Sequence, residues 1–363
     1  RDKHVTGVQT CALPISRGAY DQPGAEVSAG TPSTLPPLGA VGPPNGKRTR
    51  LDLAHWLVNP DHPLTSRVIV NRYWQMLFGT GLVKTAEDFG TQGEFPSHPE
   101  LLDRLAADFV ASGWDLRRLL HQMVMSETYR QQSEATPKLL EKDPYNRLLA
   151  RAPRFRLAAE FVRDGALAAS GLLNDDLGGP SVHPYQPDGL WEEVSHYGYP
   201  KPFSSQKFLP GSGRVLYRRS LYTAWKRTSP PPSMAIFDAP SRETCSVRRL
   251  NTNTPLQALV LQNDPQFLEA ARALGDLMAA AGSPQDGIDL GAKRVLGRAP
   301  TTKELDVLSA ALVRYRQAYQ SQAEKARQLL ASAGAPGSGD PVQVAWTLVA
   351  STLLNMDEAV TRQ

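Results

Sequence analysis

The sequence predicts a mainly α-helical protein: a multi-helix, bundle-like domain with a long irregular, aromatic-rich loop region and at most a short strand element. Apolar residues recur three and four positions apart between residues 51 and 124, and again between 256 and 354. Capping-box patterns precede two of these stretches. Glycine, proline and aromatic residues interrupt the helical pattern at 174–213. Together these observations favour packed helices joined by one large irregular segment.

The first two predicted helices lie before Gly79. Apolar residues at helical spacing cover 51–58, and Asn59-Pro60 ends that pattern. Thr65 has the side chain of an N-cap, and we expect it to cap a second helix. This helix should end at Gly79, because glycine is favoured just after a helix.

Three further helices follow in the first half of the chain. Ser97-His-Pro-Glu100 has the form of a capping box with proline at the first helical position, and the helix it begins should end near Gly113. Asp115 is placed to cap the next helix. A later apolar series predicts a helix from about Leu157 to Gly171.

The second half of the chain is also predicted to be helical, with one exception. The run 218–226 is too short for its period to separate strand from helix, and we favour a short strand there. Helical spacing resumes after Thr254. The capping box at Thr301–Glu304 predicts a helix that extends to about Leu330. A last apolar helix is expected at 342–354.

Composition excludes several classes of protein. The chain has 363 residues, 41% of them hydrophobic, and is long enough to bury a large core. Its 40 basic and 36 acidic residues give a net charge of +4, which does not indicate a nucleic-acid binder. No apolar run reaches about 18 residues, so no membrane span is predicted. Cys11 and Cys245 are too few for a disulfide framework, a thiolate zinc site or a haem attachment, and the histidines lack metal-binding spacing. We therefore expect no metal and no cofactor in this chain.

The sequence also suggests how the chain is organised. Residues 1–16 resemble a translated sequencing adapter, and we exclude them from the fold. Residues 17–49 are rich in glycine, proline, serine and alanine, which predicts a linker or extended arm. One helical domain is expected at 50–360, with a possible sub-domain break near 172–215. Since the first 16 residues look foreign, we expect the natural protein to continue upstream.

Several separate motifs, in a fixed order between about Arg50 and Asp357, resemble one known family. They are LAHWLVNPDHPLTSRVIVNRYWQMLFGTGLV, DFGTQGEFPSHPELLDRLA, SGWDLRRLLHQMVMSETYRQ, FDAPSRETCSVRR, NTNTPLQALVLQNDP and LGRAPTTKEL, with LLNMDE near the end. They are similar to the planctomycete family called domain of unknown function 1553.

The resemblance implies a setting for the chain. Members of that family usually end large secreted proteins that carry a cytochrome c domain and a second domain of unknown function upstream. We therefore expect an extracytoplasmic location, with these two domains as partners and haem c in the upstream domain. The resemblance assigns no catalytic residue.

The richest polar cluster lies at 241–254, just before the helix expected after Thr254. A helix N-terminus beside several guanidinium groups suits a carboxylate, a sulfate or another acidic ligand. Alternatively, these side chains pair with carboxylates and cap helices inside the domain. The candidate ligand-binding residues of this segment are Arg242, Arg248, Arg249, Asn251 and Asn253.

A second candidate group lies on the predicted helix after Thr65. Arg67, Asn71 and Trp74 follow one another at i, i+4 and i+7, so they share one stripe of the helix. They could place a planar cation, an amide and an indole on the wall of a cleft. The alternative is that Trp74 belongs to the core and Arg67 ties the helix to a neighbouring loop.

Trp191 is a third candidate ligand-binding residue, within the aromatic segment 188–199. Glu192 follows it and could act as a general acid or base, but its neighbour Glu193 cannot face it across a substrate. The catalytic candidates are Glu192, Glu243 and Cys245. For Cys245 we favour the role of a buried small apolar side chain over that of a nucleophile.

These groups lead to three hypotheses of different classes. We favour a binding or interaction module that engages an anionic or carbohydrate-like ligand, such as an anionic glycan. A catalytic domain acting on complex polysaccharide, with a haem domain as electron partner, is the first alternative. A structural scaffold is the second. An enzyme predicts that an acid–base pair meets the arginines in one pocket, whereas a scaffold predicts that the arginines are paired off.

Overall fold

The computed structural model describes residues 29–39, 48–194 and 207–362. Within these ranges the chain is mainly helical, and two very short strands form one sheet. The predicted fold class is therefore confirmed. Residues 1–16, most of the expected linker at 17–49, and Tyr197 and Tyr199 of the aromatic segment lie outside the described residues.

The elements are named here in chain order. The helices are α1 (Arg50–Leu57), α2 (Thr65–Phe78), α3 (Pro99–Ala111), α4 (Leu116–Val124), α5 (Glu127–Arg130), α6 (Pro137–Lys142), α7 (Ala159–Ser170), α8 (Leu190–Glu193), α9 (Pro232–Ile236), α10 (Pro255–Asn263), α11 (Pro265–Ala279), α12 (Pro284–Leu296), α13 (Thr302–Gln320), α14 (Ala323–Ser332), α15 (Pro341–Leu354) and α16 (Asp357–Val360). The strands are β1 (Phe155–Arg156) and β2 (Thr361–Arg362), and 3₁₀ turns occupy Gly213–Tyr217 and Ser220–Tyr222.

The chain divides into two compact units, Arg1–Pro153 and Arg154–Gln363, called unit 1 and unit 2 below. The division falls before α7, at a different place from the 172–215 segment considered from the sequence.

Unit 1 is built around the helices α2, α3 and α4. Val70 of α2, Leu102 and Leu105 of α3, and Leu119 of α4 are buried together in its core. Within each helix the buried residues are three or four positions apart, so each helix has one apolar face that packs against the neighbouring helices. The Asp115 side chain accepts a hydrogen bond from the Arg118 amide and caps α4, as predicted.

The predicted cap at Thr65 is wrong, because a histidine takes its place. Thr65 is the first residue of α2, and the preceding residue makes no side-chain cap. Instead, the His62 Nδ1 atom accepts hydrogen bonds from the backbone amides of Leu64 and Thr65, at 3.3 and 3.2 Å. The imidazole thus satisfies two of the donors that a helix N-terminus leaves open.

The predicted capping box at Ser97 is also wrong, although the helix itself is found. His98, not Ser97, is the N-cap residue of α3, and it makes no side-chain cap. The Ser97 hydroxyl contacts the His98 ring at 3.0 Å instead of reaching a helix amide. Pro99 occupies the first helical position as predicted, because the fixed φ of proline suits the start of a helix.

Unit 2 has α11 and α15 at its centre, with α7, α12 and α13 packed around them. Leu274, Val349 and Leu353 are fully buried between these helices. Gly275 allows α11 and α15 to approach closely, since a Cβ atom there would lie 2.8 Å from the Trp346 carbonyl carbon.

The strands of unit 2 are not where the sequence suggested. Phe155 pairs with Arg362 and Arg156 with Thr361 in an antiparallel sheet of β1 and β2. The run 218–226 was expected to form a strand, and this prediction is wrong. It contains a 3₁₀ turn and makes only isolated bridges with neighbouring loops.

The last helices follow the sequence prediction with one difference. Thr301 and Glu304 form the predicted capping box at the start of α13. The expected single helix to about Leu330 is two helices, because α13 ends at Gln320 and α14 begins at Ala323. Across the described ranges, no helix is both long and apolar enough to cross a bilayer.

Candidate functional site

Arg242 lies over an indole ring in unit 2. Its Cζ atom is 4.2 Å from the centroid of the Trp225 ring. The Trp225 Nε1 atom donates a hydrogen bond to the Ser241 carbonyl at 3.0 Å, which ties the ring to the residue before the arginine. Arg242 also has a positive φ of 63°, so a local turn aims its side chain at the ring. The guanidinium is thus held on an aromatic face at the protein surface.

Arg249 is neutralised by a carboxylate. It donates two hydrogen bonds to Glu160 in the first turn of α7, at 2.6 and 3.1 Å. Burial alone would raise the pKa of the Glu160 carboxyl, but the hydrogen bond from Arg249 and the charges of Arg249 and Arg242 outweigh it. The pKa of Glu160 therefore lies below its ordinary value. This pair agrees with the alternative that structural ion pairs account for some of these arginines.

The C-terminal end of the 241–254 segment is fixed by buried and half-buried polar contacts. The Thr252 amide and hydroxyl both donate to one Asp238 oxygen, at 2.7 and 2.8 Å. The buried Gln257 side chain donates to the Thr252 carbonyl at 3.1 Å. Asn253 accepts a hydrogen bond from Arg156 of β1. Asn253 therefore serves as an anchor of the segment.

Residues 241–251 are all exposed. In the part of the chain that the structure describes, Arg242, Arg248 and Asn251 have no ion pair and no side-chain hydrogen bond. Two guanidinium groups of the segment therefore form no ion pair with a described carboxylate, although the charge of Arg242 contributes to the lowered pKa of Glu160. Such groups can bind a carboxylate, sulfate or phosphate through charge-assisted hydrogen bonds.

Arg67, Asn71 and Trp74 lie in unit 1 and have structural contacts there. Arg67 pairs with Asp103 of α3 at 2.7 Å. Asn71 is fully buried and hydrogen-bonded to the backbone of Val83, and Trp74 is 5% exposed within the core. Arg67 also donates to the Pro63 carbonyl in the loop before α2, at 2.5 Å. These contacts match the structural alternative for this stripe, in which Trp74 belongs to the core and Arg67 ties the helix to a neighbouring loop.

Trp191 belongs to an aromatic cluster of unit 2. It is buried and packs edge-to-face against His183 and Phe208, with ring centroids 6.0 and 5.3 Å apart. The Lys226 ammonium lies 5.0 Å from the centroid of its ring. The indole is therefore part of the packing of the irregular segment.

The three catalytic candidates are not brought together with the arginines. Glu192 lies on the short helix α8, while Glu243 and Cys245 are exposed on the 241–251 segment. Among described residues, neither carboxylate makes a hydrogen bond or ion pair with an arginine through its side chain. The expectation that Cys245 is buried is wrong, because this residue lies on an exposed surface turn.

No metal site accompanies this surface in the described residues, where no group of three or more His, Cys, Asp and Glu side chains could hold an ion.

Two residues that distinguish the arginines from one another could not be identified from the sequence. Trp225 supports Arg242, and Glu160 neutralises Arg249 from 89 positions away in the chain. The only available signal was that Trp225 lies in a run of basic residues.

The fold and this surface define a mainly helical protein that presents unpaired guanidinium groups on an exposed turn. The chain belongs to the family described as "Protein of unknown function (DUF1553)", whose match covers residues 49–312. This confirms the family resemblance seen in the motifs. Neither the curated proteins nor the solved structures compared with the chain gave a match.

Proposed function

We propose that this chain is a binding module that engages an anionic ligand, such as an acidic glycan, at the exposed segment 241–251. One observation carries the proposal: Arg242 is stacked on Trp225, yet has no carboxylate partner among the described residues. A guanidinium held in this way is pre-organised, and it keeps its hydrogen-bond donors for a ligand.

The neighbouring charges favour an anion at this position. Arg248 adds a second unpaired cation on the same exposed turn, whereas Arg249 is paired with Glu160. A carboxylate or sulfate group can bind a guanidinium through two parallel hydrogen bonds, and a sugar ring can pack on an exposed aromatic edge. The described residues of this turn supply no acid–base pair, so we propose binding rather than catalysis.

The setting of the module follows from its family resemblance. We propose that the chain forms part of a longer extracytoplasmic protein, with a cytochrome c domain and a second domain of unknown function as its partners. Haem would then belong to the upstream domain and not to this chain.

Calorimetric titration with three oligosaccharides tests the proposal. The probes are a sulfated, a carboxylated and a neutral oligosaccharide, each added to the full 363-residue chain. We expect the two anionic probes to bind more tightly than the neutral one, with an affinity that falls as salt is added. Arg242→Gln should weaken anionic binding about tenfold, equivalent to about 1.4 kcal/mol.

Arg314→Gln is the matched control, because Arg314 is exposed on α13 and has no ion pair among the described residues. It removes the same charge at another place in unit 2. Equal weakening by both variants would mean that the anions respond only to net charge, and the proposed site would be wrong. Equal binding of the neutral probe would also contradict it.

A further inference from the structure

Away from the 241–251 segment, unit 2 contains a partly open cavity of about 310 Å³. Its walls come from α7, α10, α12, α15 and α16, and none of the residues at 241–251 lines it. Small-molecule sites in proteins have volumes of about 300–1,000 Å³, so this cavity lies at the lower end of that range. Aliphatic side chains that line it include Val162, Leu261, Leu354 and Val360.

Two small residues on the exposed side of α7 line the cavity. Gly165 and Ala168 are three positions apart, so they lie on the same face of the helix. Glycine inside a helix is unfavourable relative to alanine. A Cβ atom at Gly165 would have no neighbour within 4 Å, so packing does not require glycine there. Since Gly165 has no side chain and Ala168 has only a methyl group, this edge leaves the cavity accessible.

A cation lies in the wall of the same cavity. Arg294 of α12 donates from Nε to the Ala169 carbonyl at 2.5 Å and from Nη2 to the Ala168 carbonyl at 3.3 Å. Its Nη1 atom has no hydrogen-bond partner in the described ranges, and no carboxylate there pairs with Arg294. An exposed guanidinium thus borders a space that is otherwise mostly aliphatic.

We infer that this cavity binds an amphipathic carboxylate, namely a medium-chain aliphatic acid. The alkyl chain lies among the aliphatic side chains, where it is removed from water. The carboxylate lies at the rim and accepts hydrogen bonds from Arg294. This site is distinct from the proposed anion-binding turn, so a test that contradicts one of the two proposals leaves the other unaffected.

Calorimetric titration of the full chain with decanoate, decanol and decylamine tests the inference, with each probe kept below its micellar concentration. We expect decanoate to bind with one site per chain and at least tenfold more tightly than decanol or decylamine. Arg294→Gln should reduce the affinity for decanoate to that for decanol. Arg294→Lys keeps the charge and should retain a preference for decanoate.

Two variants that add bulk at the entrance test the location of the site. Gly165→Leu and Ala168→Leu should each weaken decanoate binding at least tenfold. Ala310→Leu adds the same side chain at an exposed position of α13 that does not line the cavity, and it should leave binding unchanged. Circular dichroism identifies the variants that remain folded. The inference is overturned if the wild-type chain does not bind decanoate, if decylamine binds as tightly, or if a folded entrance variant binds decanoate as the wild type does.

Discussion

The side-chain amide of Asn71 makes two hydrogen bonds with the backbone of Val83. Its Nδ2 atom donates to the Val83 carbonyl and its Oδ1 atom accepts from the Val83 amide, both at 2.9 Å. Gly81 lies so close that a Cβ atom there would be 2.6 Å from Nδ2. Asn71 therefore fixes the loop after α2 against the helix in the core of unit 1, where neither backbone group could readily bond to water.

Replacing Asn71 by leucine should destabilise unit 1 by about 2–4 kcal/mol, because two buried backbone groups lose their partners. Urea unfolding followed by tryptophan fluorescence measures the change. Arg72→Ala is the control, since Arg72 is exposed on the same helix, and it should change the free energy of unfolding by less than about 0.5 kcal/mol. If Asn71→Leu lowered the free energy of unfolding no more than Arg72→Ala does, these hydrogen bonds would not hold the loop.

Local sequence patterns were sufficient for most of the helices. The apolar spacing between residues 51 and 124 predicted helices there, and Leu102, Leu105 and Phe109 on the apolar face of α3 are all buried. The caps at Asp115 and Thr301 were also predicted, since each depends on residues three positions apart.

The predicted caps that failed did so because a neighbouring side chain competed for the same groups. His62 accepts the amide hydrogen bonds near Thr65, and Ser97 contacts His98 instead of the helix. These contacts span only one to three residues, but they depend on the orientation of a histidine ring, which the pattern of capping residues does not specify.

The candidate site was predicted only in part, for a related reason. The exposed arginine-rich turn could be located from composition, but the state of each arginine depends on distant partners. Glu160 pairs with Arg249 through hydrogen bonds, whereas Trp225 stacks on Arg242 and leaves its hydrogen-bond donors available. Such pairings arise only when the chain has folded.

Stability at low pH should depend on Glu304. Hydrogen bonds from Arg298, at 2.8 and 2.9 Å, and from the Thr301 amide lower the pKa of this carboxyl from 4.5 to about 2. Because the pKa is depressed in the folded state, the stabilisation is complete above about pH 4.5 and is lost as the pH falls towards 2. Glu304→Gln should therefore be less stable than the wild type at neutral pH, by about 1 kcal/mol once solvent screening is considered.

The measurement compares the free energy of unfolding of wild type and Glu304→Gln at pH 6 and at pH 3. The difference between the two proteins should shrink at the lower pH. Glu243→Gln is the control, because Glu243 is exposed and has no ion pair in the described part of the chain. The difference in free energy of unfolding between this variant and the wild type should be the same at both pH values. A Glu304→Gln difference that is equal at both pH values would contradict the prediction.

Removing the Glu160 carboxylate should strengthen anion binding at the proposed turn. In Glu160→Gln, Arg249 loses its charged partner and adds an unbalanced cation beside Arg242. We expect about a threefold gain in affinity for a sulfated oligosaccharide, or about 0.7 kcal/mol. Calorimetric titration at low salt measures it, with Asp175→Asn as the control.

Asp175 pairs with the exposed Arg219 elsewhere in unit 2, so its substitution makes the same change in net charge. It should leave the affinity nearly unchanged. If Glu160→Gln gained no more affinity than Asp175→Asn, the anion would not bind beside Arg249.

Replacing Arg163 by methionine should destabilise the irregular segment that follows residue 207. Arg163 is 4% exposed on α7, and it donates to the Gln266 side chain and to the Leu216 and Arg218 carbonyls, at 2.6, 2.6 and 2.9 Å. Burial lowers the pKa of this guanidinium, which the nearby carboxylates of Asp164 and, more weakly, Asp264 partly offset.

Because the methionine cannot donate, several buried acceptors lose their partner, and we expect a loss of about 3–5 kcal/mol. Hydrogen exchange of the backbone amides locates the effect: protection should fall at residues 213–223 and remain in α13. Arg219→Met is the matched control, since Arg219 lies in the same segment but makes only an exposed ion pair, which solvent screens. If exchange at 213–223 were the same in Arg163→Met as in Arg219→Met, the segment would be held by its own turns and not by the buried arginine.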